Sequence, residues 1–324
     1  MASVLGHWLT HVQHAHAAKS ASTLPALASQ PSIGPVDRSL KSVVAHIRAN
    51  EVLAGNNIHE RLLGEMIDVG VRIATRQTTG TTADWNRLLN PDDIIAIKFN
   101  SVGGKALGTT VPMALQLVQS LGRSGFAPDR IILIEVPDVP EIRQLKTQPR
   151  VHAWTEKRVS FGSGEEQLDA VLEEATAIIN VPFLKTHNIA GMTGCLKNLS
   201  HALIRRPKRY HANACAPYVG DIIALPQIRS KLRLHIGNVL RGVFDGGPQA
   251  KTDSIWPHSG LLVSTDPVAA DAVGTDIIND QRTKAKLPII GDADGHIPHV
   301  HAAAARGLGT DDQDYIDLVE ATPF

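Results

Sequence analysis

Three short apolar runs, at residues 94–99 (IIAIKF), 130–136 (RIILIEV) and 177–181 (AIINV), constrain this chain more than any other feature. Each is too short for a buried helix and rich in isoleucine, so each reads as a strand covered on both faces. The amphipathic stretch 110–125, ending on Gly125, reads as a helix between the first two. Residues 165–174 read as another helix, 234–244 and 260–264 as further strands, and 316–319 as an edge strand. Segment 266–279 carries a complete helix start. Asp266 can accept N–H bonds at the N-cap, and Pro267 takes the first helical position, where its missing donor costs nothing. Upstream, Asp37 is expected to cap a helix carrying Leu40, Val43, Val44 and Ile47. A second helix should carry Ile58, Leu62, Leu63, Met66, Ile67 and Val71, and Thr82 should cap a short segment ending near Asn90. The alternation implies the α/β class: a mainly parallel sheet with helices on both faces and a helical N-terminal extension, in one body or two lobes.

Residues 1–36, rich in His, Ala and Ser and punctuated by Pro25, Pro31 and Pro35, read as an arm and linker. Residues 37–324 then form the α/β domain. Thirty-two basic residues balance thirty-two acidic ones, so no global field draws nucleic acid. No apolar run reaches the roughly 20 residues needed to span a bilayer. Residues 1–19 lack a basic segment followed by an apolar one, so the protein is expected to be cytoplasmic, or exported with its signal outside this sequence. Two cysteines, Cys195 and Cys215, are too few for a disulfide scaffold or an iron–sulfur cluster. Fifteen histidines leave a divalent transition metal open as a cofactor.

In parallel sheets ligands sit beyond the carboxyl ends of the strands, which selects the polar residues just after each apolar run. Lys98 and Asn100 precede a Gly103–Gly104 turn and Lys105, a set able to hold an anion. The densest stretch reads NVPFLKTHNIAGMTGCLKNLSHAL from Asn180. It offers Lys185, Thr186, His187, Lys197, Asn198 and His201, with Lys197 and His201 sharing a face if helical. A helix N-terminus near Thr193 should add N–H donors for an anion. Lysines, a histidine and amides suit a carboxylate or phosphate; alternatively His187, His201 and His211 hold a metal. Residues 205–211 place four cations beside His211, either as a solvated loop or as a lid over the anion. Asp245, before Gly246 and Gly247, is a candidate base or ligand and also a good turn residue. Asp266 reads mainly as a cap, with Asp271 a turn later. Asp292, Asp294, His296, His299 and His301 form a metal-like cluster that matches no standard spacing and reads mainly as a solvated loop. No phosphate loop, dinucleotide turn or nucleophile elbow is present.

Together IAIKFN, AIINVPFLKTHNIAGMTGCLKNLSHAL, Tyr210–His211, VFDGGP and LLVSTDPVAADAVGTDII resemble the family called domain of unknown function 362, over roughly residues 93–279. The resemblance implies an α/β fold and a common site around Lys98, Lys185, His187, Lys197 and Asn198, with Asp245 and Asp266 nearby. It implies no reaction. Many relatives carry ferredoxin-type cysteine clusters or export signals, which this sequence lacks. The fold is distantly similar to that of the lactate racemase family, whose members act on 2-hydroxy acids with a nickel cofactor.

Three functions follow as expectations. The first is an enzyme holding a small anion in a Lys/His/Asn-lined cleft. Lys185, His187, Lys197 and Asp245 would carry acid/base or metal-assisted chemistry, and Lys98, Asn100, Thr186, Asn198 and His211 would bind the substrate. The second is a metal-binding or redox-partner protein without turnover. The third is an assembly module, possible as a homo-oligomer, using the arm.

Overall fold

The computed structural model describes residues 41–323, so the expected arm, Asp37 and Leu40 lie outside the described residues. Along the chain run β1 (Ser42–Arg48), α1 (Glu60–Ala74), β2 (Ile95–Lys98), α2 (Thr110–Arg123), β3 (Ile131–Ile134) and β4 (Gln148–Arg150). A hairpin of β5 (Trp154–Phe161) and β6 (Gly164–Asp169) follows, then β7 (Ala177–Asn180), β8 (Phe183–His187), β9 (Gly191–Thr193) and α3 (Cys195–Ser200). The remainder holds α4 (Tyr218–Ile223), β10 (Leu232–Val243), β11 (Ile255–Ser264), α5 (Pro267–Lys284), α6 (Pro298–Ala305) and β12 (Ile316–Ala321).

Ten strands form one sheet, along which the order is β12-β1-β11-β10-β7-β2-β3-β4. The pairs from β10 through β7, β2 and β3 to β4 are parallel, while β11 runs antiparallel to both β1 and β10. The long β10 is shared: β7 pairs its first half and β8 its second half, both in parallel. Side chains alternate across each strand, which separates two cores. Ile95, Ile97, Ile131, Leu133 and Ile179 meet Leu63, Met66 and Ile67 of α1 and Met113 and Leu117 of α2 on one face. Ala96, Ile132, Ile178 and Leu262 meet Leu196, Leu199, Ile222, Val268 and Val300 on the other. The expected class, a mainly parallel sheet with helices on both faces, is the observed one.

Four local expectations fail, and the simplest is Ile58, which pairs with Leu53 in a short hairpin because His59 caps α1 just after it. The first described element is a strand: Val43, Val44 and Ile47 lie in β1, between β11 and β12, instead of a helix. A strand buried on both faces has no period of two, and its apolar residues coincided with helical spacing. Residues 165–174 are split between strand and helix: Gly164–Asp169 pairs with Trp154–Phe161, and the helix is confined to Val171–Glu174. Glu166 in this hairpin is buried, 3.4 Å from Arg209 and 3.7 Å from Arg158. The cap near residue 85 is Asp84, not Thr82; its carboxylate accepts from Asn86 N.

The strongest cap is Asp266. One carboxylate oxygen accepts from Val268 N and Ala269 N at 2.9 Å, and the other from Ser42 Oγ at 2.6 Å and Thr310 N at 3.0 Å. It therefore fastens α5 to the start of β1 and to the approach to β12. Asp266→Ala removes four bonds and leaves buried donors unmet, so unfolding by denaturant should show a loss of about 2 kcal/mol.

Candidate functional site

The site grows from one row of the sheet. Lys98 ends β2 and Asn180 ends β7; in register they lie side by side, and Asn180 faces His235 of β10. The residues alternating with them, Ile97, Ile179 and Leu234, point into the α1–α2 core. Lys98, Asn180 and His235 therefore all point to the opposite face, under α3. All three are fully buried.

Asn198 of α3 closes over this row. Its Nδ2 donates to Asn180 Oδ1 at 2.7 Å, and its Oδ1 accepts from Asn100 Nδ2 at 2.9 Å and from Lys98 Nζ at 3.4 Å. Asn180 Nδ2 in turn donates to the Cys195 carbonyl at 3.0 Å, fixing the start of α3. That start was expected to offer N–H groups to an anionic ligand. Instead the Asp271 carboxylate of α5 takes Cys195 N at 2.6 Å and Leu196 N at 2.9 Å. Gly194 makes this possible, because a Cβ there would collide with Asp271. Burial pushes the Asp271 carboxyl up to about 7 even against these two bonds.

The stretch after β7 forms the strand β8 and turns back through β9 as a hairpin. On β8 the side chains alternate, so Lys185 and His187 share one face and Thr186 takes the other. Lys185 sits opposite Thr193 of β9, which joins it on the cleft side. Thr186 Oγ1 instead accepts from Gly247 N at 3.1 Å, and a side chain at 247 would strike the Thr186 carbonyl. Thr186 thus positions the 246–248 turn and does not line the cleft.

The resulting cleft has a volume of about 250 Å³ and is lined by Asn100, Glu135, Lys185, His187, Thr193, Lys197, Asn198, His201 and His211, among others. A larger cavity of about 530 Å³ lies elsewhere, at Arg229, His301, Arg306 and Asp311. There Arg306 pairs with Asp221 and His301 with Asp311 at 2.9 Å.

The three lysines differ in what they face. Lys98 pairs with Glu135 at 2.9 Å; burial lowers its pKa and the Glu135 charge opposes this. Lys185 donates to Asn100 Oδ1 at 3.2 Å and to the Val102 carbonyl, and no carboxylate forms an ion pair with it among the described residues. Burial lowers it to about 7, the nearby Glu135 opposing and the Lys197 and Lys98 charges adding to the fall. Lys197 Nζ lies 3.3 Å from His211 Nε2 and is also lowered by burial. His187 Nδ1 accepts from Ile189 N and Ala190 N at 3.2 Å, which leaves the neutral ring's proton on Nε2. Burial, helped by Lys197 and His211, lowers His187 to about 3.

Glu135 was missed by the sequence reading, although it stands directly after β3, where the strand-end rule points. It is a non-glycine residue in the left-handed region, with φ at 60°. That conformation costs about 1 kcal/mol and persists only where neighbours over-determine it. Here Lys98, Ser101 N at 2.6 Å and His152 Nε2 at 2.9 Å all bind its carboxylate. Burial disfavours its charge, but His152 and Lys98 outweigh burial and hold it well below the usual carboxylate range. His152 also bonds Asp169, and the Asp169 and Glu135 bonds raise it to about 9. Asp169, His152, Glu135 and Lys98 form a line of alternating charge leading to the cleft.

Other candidates lie outside the cleft. Asp245 is half-exposed and pairs with Arg282 at 2.8 Å. Of the basic segment, only Pro207 and His211 line the cleft, while Arg205 and Arg209 face Gln167 and Glu166. The 292–301 cluster divides. Asp292, Asp294 and His296 are exposed, His299 is buried and His301 bonds Asp311.

The matched region coincides with these elements. Residues 138–276 match the model of DUF362, a domain of unknown function. That span carries β8, α3, the 205–211 segment and the start of α5, in keeping with the resemblance read from the sequence. No curated protein matches the chain. Among solved structures, the lactate racemase apoprotein from Thermoanaerobacterium thermosaccharolyticum is similar at 12% identity and a TM-score of 0.43, over 75% of this chain and 58% of its own. A Thermotoga maritima protein is similar at 11% identity and a TM-score of 0.40, over 72% of this chain and 61% of its own. The chain thus spans less than two thirds of either, and likeness of this degree carries neither substrate nor cofactor to it.

The charge line makes a pH prediction. His152 is raised from 6.5 to about 9, so its stabilising effect is complete below pH 6.5 and is lost as pH rises through 9. Unfolding free energies measured between these limits should fall by about 2 kcal/mol more in the wild type than in His152→Gln.

Proposed function

We propose that the chain is an enzyme that binds a small carboxylate or phosphate in the cleft between β8, α3 and residues 207–211 and performs proton-transfer chemistry on it. One observation carries this reading: Lys185 is a fully buried ammonium group that faces the cleft with only neutral partners. An unpaired buried charge costs several kcal/mol, so such a lysine either sheds its proton or receives an anion. Lys98 has its counter-charge in Glu135, whereas Lys185 and Lys197 are left to a ligand.

The other residues then take definite parts. Asn100 holds Lys185, and Asn198 holds Asn100, so both amides orient the ammonium. Lys197 supplies a second positive charge. The Nε2–H of His187 donates to the substrate, and Thr193 Oγ1, buried without a partner, gives a further polar contact. Lys185, lowered to about 7, exchanges a proton at neutral pH with little driving force lost, as acid/base catalysis requires. Asp245 has no part in this scheme, because Arg282 holds it outside the cleft.

Calorimetric titration with inorganic phosphate and a panel of small mono- and dicarboxylates tests the reading. At least one should bind, and Lys185→Met should weaken it tenfold or more, the usual worth of a charge-assisted hydrogen bond. The charges facing Lys185 are Glu135, Lys98 and Lys197. Binding needs the ammonium form, so affinity should fall by about tenfold per pH unit above 7, with proton uptake on binding there. Affinity independent of both pH and residue 185 would overturn the proposal.

A further inference from the structure

A second group of donors adjoins the cleft. His201, His211 and Cys215 each bring one donor atom to within 4.8 Å of the others. His201 and Cys215 are buried, and His211 is partly so. His201 and His211 also line the cleft. His187, expected beside these two histidines, stacks on His211 with ring centroids 5.6 Å apart and stands outside the group.

Both imidazoles are oriented by main-chain carbonyls. His211 Nδ1 donates to the Pro207 carbonyl at 3.0 Å, which leaves Nε2 with its lone pair. His201 Nε2 lies 3.0 Å from the Tyr210 carbonyl, with Nδ1 3.1 Å from Ser200 Oγ. A carbonyl on one ring nitrogen is the usual support of a metal-binding histidine, since it fixes the ring and its tautomer. Cys215 ends three consecutive non-glycine residues in the left-handed region, Asn213, Ala214 and Cys215, with φ of 50°, 52° and 68°. Each costs about 1 kcal/mol, so the chain holds the thiol against its local preference.

We propose that His201, His211 and Cys215 bind one divalent ion of the zinc type, with its fourth position open to the cleft. Two imidazoles and a thiolate suit a borderline ion and not magnesium or calcium, which take oxygen ligands. Bonds of about 2.0–2.3 Å in a tetrahedron place donors roughly 3.3–3.8 Å apart. With donors already within 4.8 Å of one another, the three side chains need to close by at most about 1.5 Å. Lys197 now occupies His211 Nε2, so an ion at that nitrogen displaces the ammonium into the cleft. The metal would then strengthen the anion site by freeing one of its cations. The thiol proton leaves as the metal–sulfur bond forms.

The test uses metal alone, so its result is separate from that of the anion titration. Metal-free protein is titrated with Co²⁺ and then with Zn²⁺ under a competing chelator. One equivalent of Co²⁺ should produce a thiolate-to-cobalt charge-transfer band that Zn²⁺ abolishes. Cys215→Ser should remove the band and weaken Zn²⁺ binding by about a hundredfold or more, whereas Cys195→Ser should keep both. If Cys215→Ser does not fold, His211→Ala gives the same readout and should show the same loss. A wild-type protein without the thiolate band, or a band and affinity that survive Cys215→Ser or His211→Ala, would overturn the assignment.

Discussion

The side-chain amide of Asn198 ties α3 to the ends of two neighbouring strands and to the loop beyond one of them. It reaches Asn180 at the end of β7, Lys98 at the end of β2 and Asn100 beyond it, while its own helix is pinned through Asn180 and Asp271. An amide suits this place because it donates and accepts at once and carries no charge to bury. A carboxylate there would pair with the lysines and neutralise the cleft, and a lysine would take the acceptor from Asn100 Nδ2 and add a fourth ammonium group. The neutral hub lets the site stay positive while Lys98, Asn100 and Asn180 each keep a partner.

That positive character is graded. Glu135 and the His152–Asp169 pair behind it satisfy Lys98 fully, so Lys98 behaves as framework. Lys185 and Lys197 hydrogen-bond only to neutral groups and form no ion pair among the described residues. The fold thus divides three chemically identical side chains into one with an anionic partner and two without, by the position of a single carboxylate.

Much of this was legible in the sequence. The apolar runs at 94–99, 130–136 and 177–181 hold strands, the Asp266–Pro267 helix start is in place, and Lys185, His187, Lys197 and Asn198 line one cleft, with Lys98 behind it bonded to Asn198. What escaped depended on long-range packing. Ser42–Arg48 is a strand because its neighbours lie more than 200 residues away in β11 and beyond, and nothing local distinguishes it from a helix. Asp271 looked like a helix-face residue, yet it caps a different helix 76 positions earlier. Glu135 lay at the end of a recognised strand but drew no notice, because a single carboxylate stands out only once its three partners are known. Cys215 likewise gained meaning from two histidines that reach it through tertiary structure and an unusual backbone.

The alternation along β8 has a consequence for how the protein tolerates change. Lys185 and His187 look into the cleft while Leu184 and Thr186 look away, and the connection from β7 to β8 is only Val181 and Pro182. Loss or gain of one residue in that short link would turn the strand over, presenting a leucine and a threonine to the ligand and burying two titratable groups in the apolar layer. The spacing of this link is therefore as much a part of the chemistry as the identity of the lysine, and homologous chains should vary in its composition far more readily than in its length.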